Sequence, residues 1–158
     1  RRRHTRFRNV TGVQTCALPI FRIAAANAVF ALPPARLGLA YPPAGLRDLV
    51  ATVGLAKARE MLFTAARLDG AEAFRIGLVN RLSVDVAGAT ASLCAEIAAG
   101  APLTILHARR ALGLIAGLPG HAGEEEIDRL ARACFDSADY AEGRAAFAEK
   151  RKPRFTGK

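Results

Sequence analysis

The chain has 158 residues, 51% of them apolar and 6% aromatic with no tryptophan, and a formal net charge of +9. A chain of this length buries roughly 68% of its unfolded surface, and so high an apolar content excludes disorder along most of it. The charge suggests nucleic acid, but Arg1, Arg2, Arg3, Arg6 and Arg8 all lie in the first twenty residues, which hold no acid. That local cluster accounts for five of the nine net charges and removes the argument for a nucleic-acid partner.

Residues 1–20 read RRRHTRFRNVTGVQTCALPI, basic and then irregular, with neither helical nor strand period. Such an arginine-rich, acid-free stretch has the composition of a targeting presequence. Residues 11–20, TGVQTCALPI, resemble something more specific, the in-frame translation of a common sequencing-library adapter. Residues 1–20 are therefore expected to be a foreign leader, disordered and outside the fold.

Short apolar runs at 21–25 and 28–32 read as buried strand ends. Pro33, Pro34, Pro42 and Pro43 predict a stiff loop without a regular element. A short helix over 46–52 follows and is broken at Gly54. Residues 55–65 form an amphipathic helix with Leu55, Ala58, Leu62 and Ala65 inward. Asp69 and Glu72 have capping-box spacing, and Gly77 is placed to end the helix they open. A brief strand is expected at 78–80.

Residues 86–99 form a helix with Leu93, Cys94 and Ile97 on one wide face. Pro102 opens the next, which runs to about 115. Gly117, Pro119, Gly120 and Gly123 mark a loop. Glu124, Glu125 and Glu126 suit the positive end of a helix reaching about 135, with Ile127, Leu130, Ala131 and Cys134 inward. Asp139 and Glu142 repeat the capping-box spacing ahead of a last helix, which ends before Pro153.

No GxxxxGK[ST], GxGxxG or GxSxG pattern occurs. His4, His107 and His121 have no zinc-binding spacing, and Cys16, Cys94 and Cys134 form no ligand pattern. No metal or separate cofactor is expected. No apolar run reaches bilayer length, so no membrane partner is expected, and nothing calls for an oxidising compartment. A cytoplasmic location follows as the expectation.

Three stretches in order, FRIAAANAVFALPPARLGL (21–39), VGLAKAREMLFTAARLDGAEAFRIGLVNRL (53–82) and EGRAAFAEKRKPRFTGK (142–158), resemble the enoyl-CoA hydratase/isomerase (crotonase) family. The resemblance implies an α/β crotonase-like ββα spiral, of which this chain is expected to be the C-terminal part only, a predominantly helical fragment. It divides the chain into the leader 1–20, the last part of the core at 21–82, and a C-terminal helical trimerisation region at 83–158. The implied partner is acyl-CoA, with coenzyme A as part of the thioester substrate. The implied assembly is a trimer or dimer of trimers.

The family stabilises a thioester enolate with two backbone amides, and its hydratases add two glutamates for water and the α-proton. One glutamate position matches Pro34 here, and the aspartate position of some family isomerases matches Pro42. Neither can carry a proton, so no catalytic residue is assigned. Tyr41 is a poor base, and Asp48 is the one carboxylate nearby. Pro34, Leu37 and Tyr41 are candidate substrate-pocket residues. The A-F-x-E-K-R-K pattern implies that Phe147 packs on adenine and Lys150 pairs with phosphate of CoA. The resulting expectation is a truncated acyl-CoA hydratase/isomerase, inactive as this fragment, with a non-catalytic acyl-CoA-binding or assembly subunit as the alternative.

Overall fold

The computed structural model describes residues 20–117 and 123–158. Residues 1–19 of the expected leader, with Cys16, and the loop residues Pro119, Gly120 and His121 lie outside the described residues. The chain forms two units, Arg1–Val86 and Ala87–Lys158.

In the first unit, β1 (Ile23–Ala25) lies parallel to β4 (Arg81–Ser83), with Ile23 opposite Arg81 and Ala25 opposite Ser83. β2 (Val29–Phe30) lies antiparallel to β3 (Leu68–Asp69). A parallel pair needs a long crossover. Here it contains α1 (Pro34–Leu37), α2 (Pro43–Val53), α3 (Leu55–Thr64) and α4 (Gly70–Arg75). The expectation of a helical C-terminal fragment alone is corrected by these pairings. Strand–strand–helix elements precede the helical region, with α1 following β2 and α4 following β3.

The strand expected at 78–80 falls instead at Arg81–Ser83. Leu78 and Asn80 are held by Arg22: its Nε donates to the Leu78 carbonyl at 2.6 Å, and its backbone N–H donates to Asn80 Oδ1 at 2.8 Å. The proline-rich stretch is also more ordered than expected. Pro34 and Pro43 each take the first helical position, where a missing N–H costs nothing, and so start α1 and α2 rather than preventing them.

Leu49, Ala58, Met61 and Leu68 form the buried core of this unit, with Phe30, Leu32, Val53, Leu62 and Leu78 packed around them. The expected inward face of α3 is thus shifted. Ala58 and Ala65 are buried, but Met61 is the central residue and Leu55 is half exposed. Asp69 caps α4 as expected, accepting from the Glu72 N–H at 2.8 Å. Glu72 does not reach back to complete the box. Its carboxylate takes Arg75 within α4 at 2.7 Å and Lys57 of α3 at 2.9 Å, and the second contact ties α4 to α3. The Arg75 and Lys57 hydrogen bonds, in that order, hold the Glu72 carboxyl down at about 2.

The second unit contains α5 (Val86–Ala98), which starts at the boundary, α6 (Pro102–Ile115), α7 (Glu124–Phe135) and α8 (Ala138–Ala148). The period-3.6 reading of α7 holds: Ile127, Leu130, Ala131 and Cys134 are its half-buried stripe. In α5 the inward stripe is narrower than expected. Leu93 is buried, while Cys94 is exposed, because its neighbouring position turns away from the packed side. Leu112, Ile115, Phe135 and Phe147 remain exposed apolar residues. Among the described residues, no single helix is long and apolar enough to cross a membrane; α5 and α6 reach that only together, bent by 106° at their break.

Gly70, at the start of α4, cannot be replaced without movement. A Cβ there would sit 2.7 Å from the Ala26 carbonyl oxygen, a backbone atom in the β1–β2 turn. Gly70→Ala is therefore expected to destabilise the chain by about 1–3 kcal/mol, read as a lowered urea midpoint with an unchanged slope. An unchanged midpoint would show that the turn relaxes freely.

Candidate functional site

Two regions carry the residues singled out from sequence. The first is the segment around α1 and the start of α2. Pro33 caps α1, Pro34 is its buried first residue, and Gly38 ends it in the left-handed conformation at φ +65° with its N–H on the Pro34 carbonyl. Pro42 stands as the extended N-cap of α2. Pro34 and Pro42 therefore serve as helix starters, and neither supplies an acid or base. The three pocket candidates differ in exposure: Pro34 is buried, Leu37 is exposed and Tyr41 is half buried. Asp48 is half buried within α2, where its carbonyl accepts the Thr52 hydroxyl at 2.7 Å.

The second region is the end of α8 and the tail after it. Sequence spacing made Asp139 and Glu142 a capping box, but the cap is Ser137, whose hydroxyl accepts from the Tyr140 N–H at 3.0 Å. The two carboxylates instead hold the tail. Asp139, only 3% exposed, accepts from the N–H of Thr156 at 2.7 Å and of Gly157 at 2.8 Å. Its own N–H donates to the Lys158 carbonyl at 3.1 Å. Glu142 accepts both terminal nitrogens of Arg151, at 2.6 and 2.8 Å, and the Arg154 backbone N–H at 2.8 Å. Gly143 leaves room for the Phe155 ring, which would lie 3.6 Å from an added Cβ. An open groove of about 910 Å³ runs between the start of α8 and the tail, lined by Asp139, Glu142, Arg151, Lys152 and Arg154; Phe147 and Lys150 lie outside it.

Phe147 is 87% exposed, so it is not a core residue of α8. Lys150 adopts φ +55°, the left-handed region that ordinarily favours glycine. Around it the chain makes the paired bonds of a helix-ending turn: Lys150 N–H to the Phe147 carbonyl at 3.2 Å and Arg151 N–H to the Ala146 carbonyl at 3.0 Å. The Lys150 ammonium makes no ion pair among the described residues, whereas Arg151 is engaged by Glu142 and Glu149. Of the basic cluster, Lys150, Lys152, Arg154 and Lys158 make no ion pair among the described residues, in contrast to Arg151. Among the described residues no group of His, Cys, Asp and Glu could hold a metal ion.

A core of paired strands and helices, followed by a helical region that ends in a folded cationic tail, places the chain in the crotonase class of α/β proteins. The family model for enoyl-CoA hydratase/isomerase matches residues 12–158, and the chain belongs to that family. It is 32% identical over 140 residues to methylmalonyl-CoA decarboxylase of Escherichia coli, covering 85% of this chain and 53% of that one. It is 34% identical over 145 residues to crotonyl-CoA hydratase of Syntrophomonas wolfei, covering 87% and 54%. Its structure resembles that of an enoyl-CoA hydratase/carnitine racemase from Magnetospirillum magneticum with a TM-score of 0.76 and 33% identity, over 88% of this chain and 52% of that one. The chain spans about half the length of these relatives.

The family match overturns several expectations. It begins at residue 12, inside the stretch expected to be foreign, so the family sequence is not confined to residues 21–158. The reading of a C-terminal fragment alone gives way to a match along nearly the whole chain, and the expected inactivity, which rested on that reading, goes with it.

The tail clamp was missed because its signal is ambiguous. Acids spaced by three suit both a cap and a pair of hydrogen-bond acceptors on one helix face. Arg151 and then the Arg154 N–H hold the Glu142 carboxyl at about 2, against an ordinary 4.5. Its folded pKa is depressed, so its contribution is present above about 4.5 and is lost as pH falls toward 2. The Arg154 amide resonance is expected to hold its folded position above that window and to move within it, whereas in Glu142→Gln it does not titrate. An Arg154 amide that does not titrate in the parent chain would contradict the clamp.

Proposed function

We propose that the chain serves an enzyme acting on acyl-CoA thioesters in the cytoplasm, with Phe147 and Lys150 contacting the CoA moiety and the protein working as an oligomer. The observation that carries the reading is the pairing of an exposed aromatic ring with an unpaired ammonium three residues later, across a helix-ending turn. The ring offers an apolar face for adenine, and the ammonium offers a point charge for phosphate. Family membership supports the thioester class, because the reactions named for its relatives all involve CoA esters.

Pro34 and Pro42 favour one reaction type over another. Hydration needs a protein group to handle water and the α-proton, and neither proline can do so. Decarboxylation of a malonyl-type thioester has no such demand at the α-carbon. The bond to the carboxylate breaks, its electron pair forms the thioester enolate, carbon dioxide leaves, and water protonates the enolate. The similarity to methylmalonyl-CoA decarboxylase supports this choice. Incubation with methylmalonyl-CoA is expected to release carbon dioxide at least about tenfold faster than crotonyl-CoA is hydrated. Hydration outpacing carbon dioxide release would reverse the assignment.

Calorimetric titration with CoA tests the binding residues. Lys150→Ala is expected to weaken CoA about tenfold, and more at low than at high salt. Lys150→Gly is expected to weaken it similarly while raising stability by about 1 kcal/mol, because glycine accepts the left-handed turn without strain. Unchanged affinity in both variants would remove Lys150 from the site.

A further inference from the structure

Lys150 occupies a left-handed backbone conformation that a lysine adopts only under strain. Something must hold it there. The adjacent residue does so twice: the Arg151 N–H closes the turn on the Ala146 carbonyl, and its guanidinium reaches back nine residues to Glu142 with two bonds. Glu142 also takes the Arg154 N–H, so one carboxylate fixes the chain at 151 and again at 154. Residues 150–154 are thereby folded into a short loop around Glu142. Asp139, by contrast, holds only the far end of the tail, at Thr156, Gly157 and Lys158.

We infer that Glu142 is a positioning residue for CoA binding, acting through Arg151 to hold Lys150 in its left-handed turn with the ammonium presented to phosphate. The inference rests on the reading of Lys150 as a CoA contact. It is not an electrostatic contribution of Glu142 itself, which carries the wrong charge for a polyanion. The gain is preorganisation: a lysine held in one backbone geometry loses less freedom when phosphate arrives.

The sign of the effect makes this testable. On charge alone, Glu142→Gln removes a negative group and should tighten binding of CoA. If Glu142 positions Lys150, the same variant weakens binding roughly fivefold to tenfold. The experiment titrates CoA into the full chain as the parent, Lys150→Ala, Glu142→Gln, the double variant and Asp139→Asn, with a melting curve for each. Weakening by Glu142→Gln that disappears in the Lys150→Ala background, with affinity retained in Asp139→Asn despite a comparable loss of melting temperature, supports positioning. Should Glu142→Gln prove too unstable, Arg151→Gln reads the same coupling. Unchanged or tighter binding in Glu142→Gln, or equal weakening in Asp139→Asn, overturns it while leaving Lys150 as a contact. Unchanged binding in Lys150→Ala overturns both the contact and the positioning.

Discussion

One carboxylate organises the C-terminal end of this chain. Glu142 sits less than two turns before the end of α8 and gathers the Arg151 guanidinium and the Arg154 amide. Exposed ion pairs generally contribute little to stability because solvent screens them and long side chains lose freedom. This one differs in what it organises rather than in how tightly it binds. A two-pronged guanidinium contact and a backbone bond on the same carboxylate fix a loop, and the loop fixes the left-handed turn at Lys150. Asp139, buried one turn earlier, secures the tail beyond it.

The first unit is governed by steric limits instead of charge. Prolines start α1 and α2, and Gly70 admits the Ala26 carbonyl to a distance no side chain allows. Pro34 and Pro42, which the family resemblance sets against one hydratase glutamate and the isomerase aspartate, stand at the starts of α1 and α2. Their place at helix starts shows what they do contribute: backbone direction without proton transfer. The two regions thus contribute differently to the proposed function, one through what its residues cannot do and the other through what they present.

Much of the local structure was legible in the sequence. Asp69, Gly77 and Pro102 mark helix ends by steric and hydrogen-bonding rules that depend on a few neighbouring residues. The stripe of α7 is legible because Ile127, Leu130, Ala131 and Cys134 recur at helical period among charged residues. Long-range contacts were not legible. Nothing local tells that Arg22 will claim the carbonyl of Leu78 and displace the strand, that Glu72 will turn to Lys57, or that Ser137 will cap α8 and free Asp139 and Glu142 for the tail. Cys94 was misplaced because an alanine-rich helix has a weakly defined apolar face. Phe147 and Lys150 were singled out only through family resemblance; the structure shows Phe147 exposed and Lys150 in a left-handed turn. The same resemblance set the family boundary too late, at residue 21 instead of 12.

The central claim is that the turn joining α8 to the tail receives CoA. Titrating CoA into isotopically labelled chain and following the backbone amides tests it directly. The amides of Phe147, Lys150 and Arg151 are expected to shift together with a single dissociation constant, while those of the Gly70 turn stay in place. Shifts that spare residues 147–151, or that scatter over all basic residues without saturating, would contradict it.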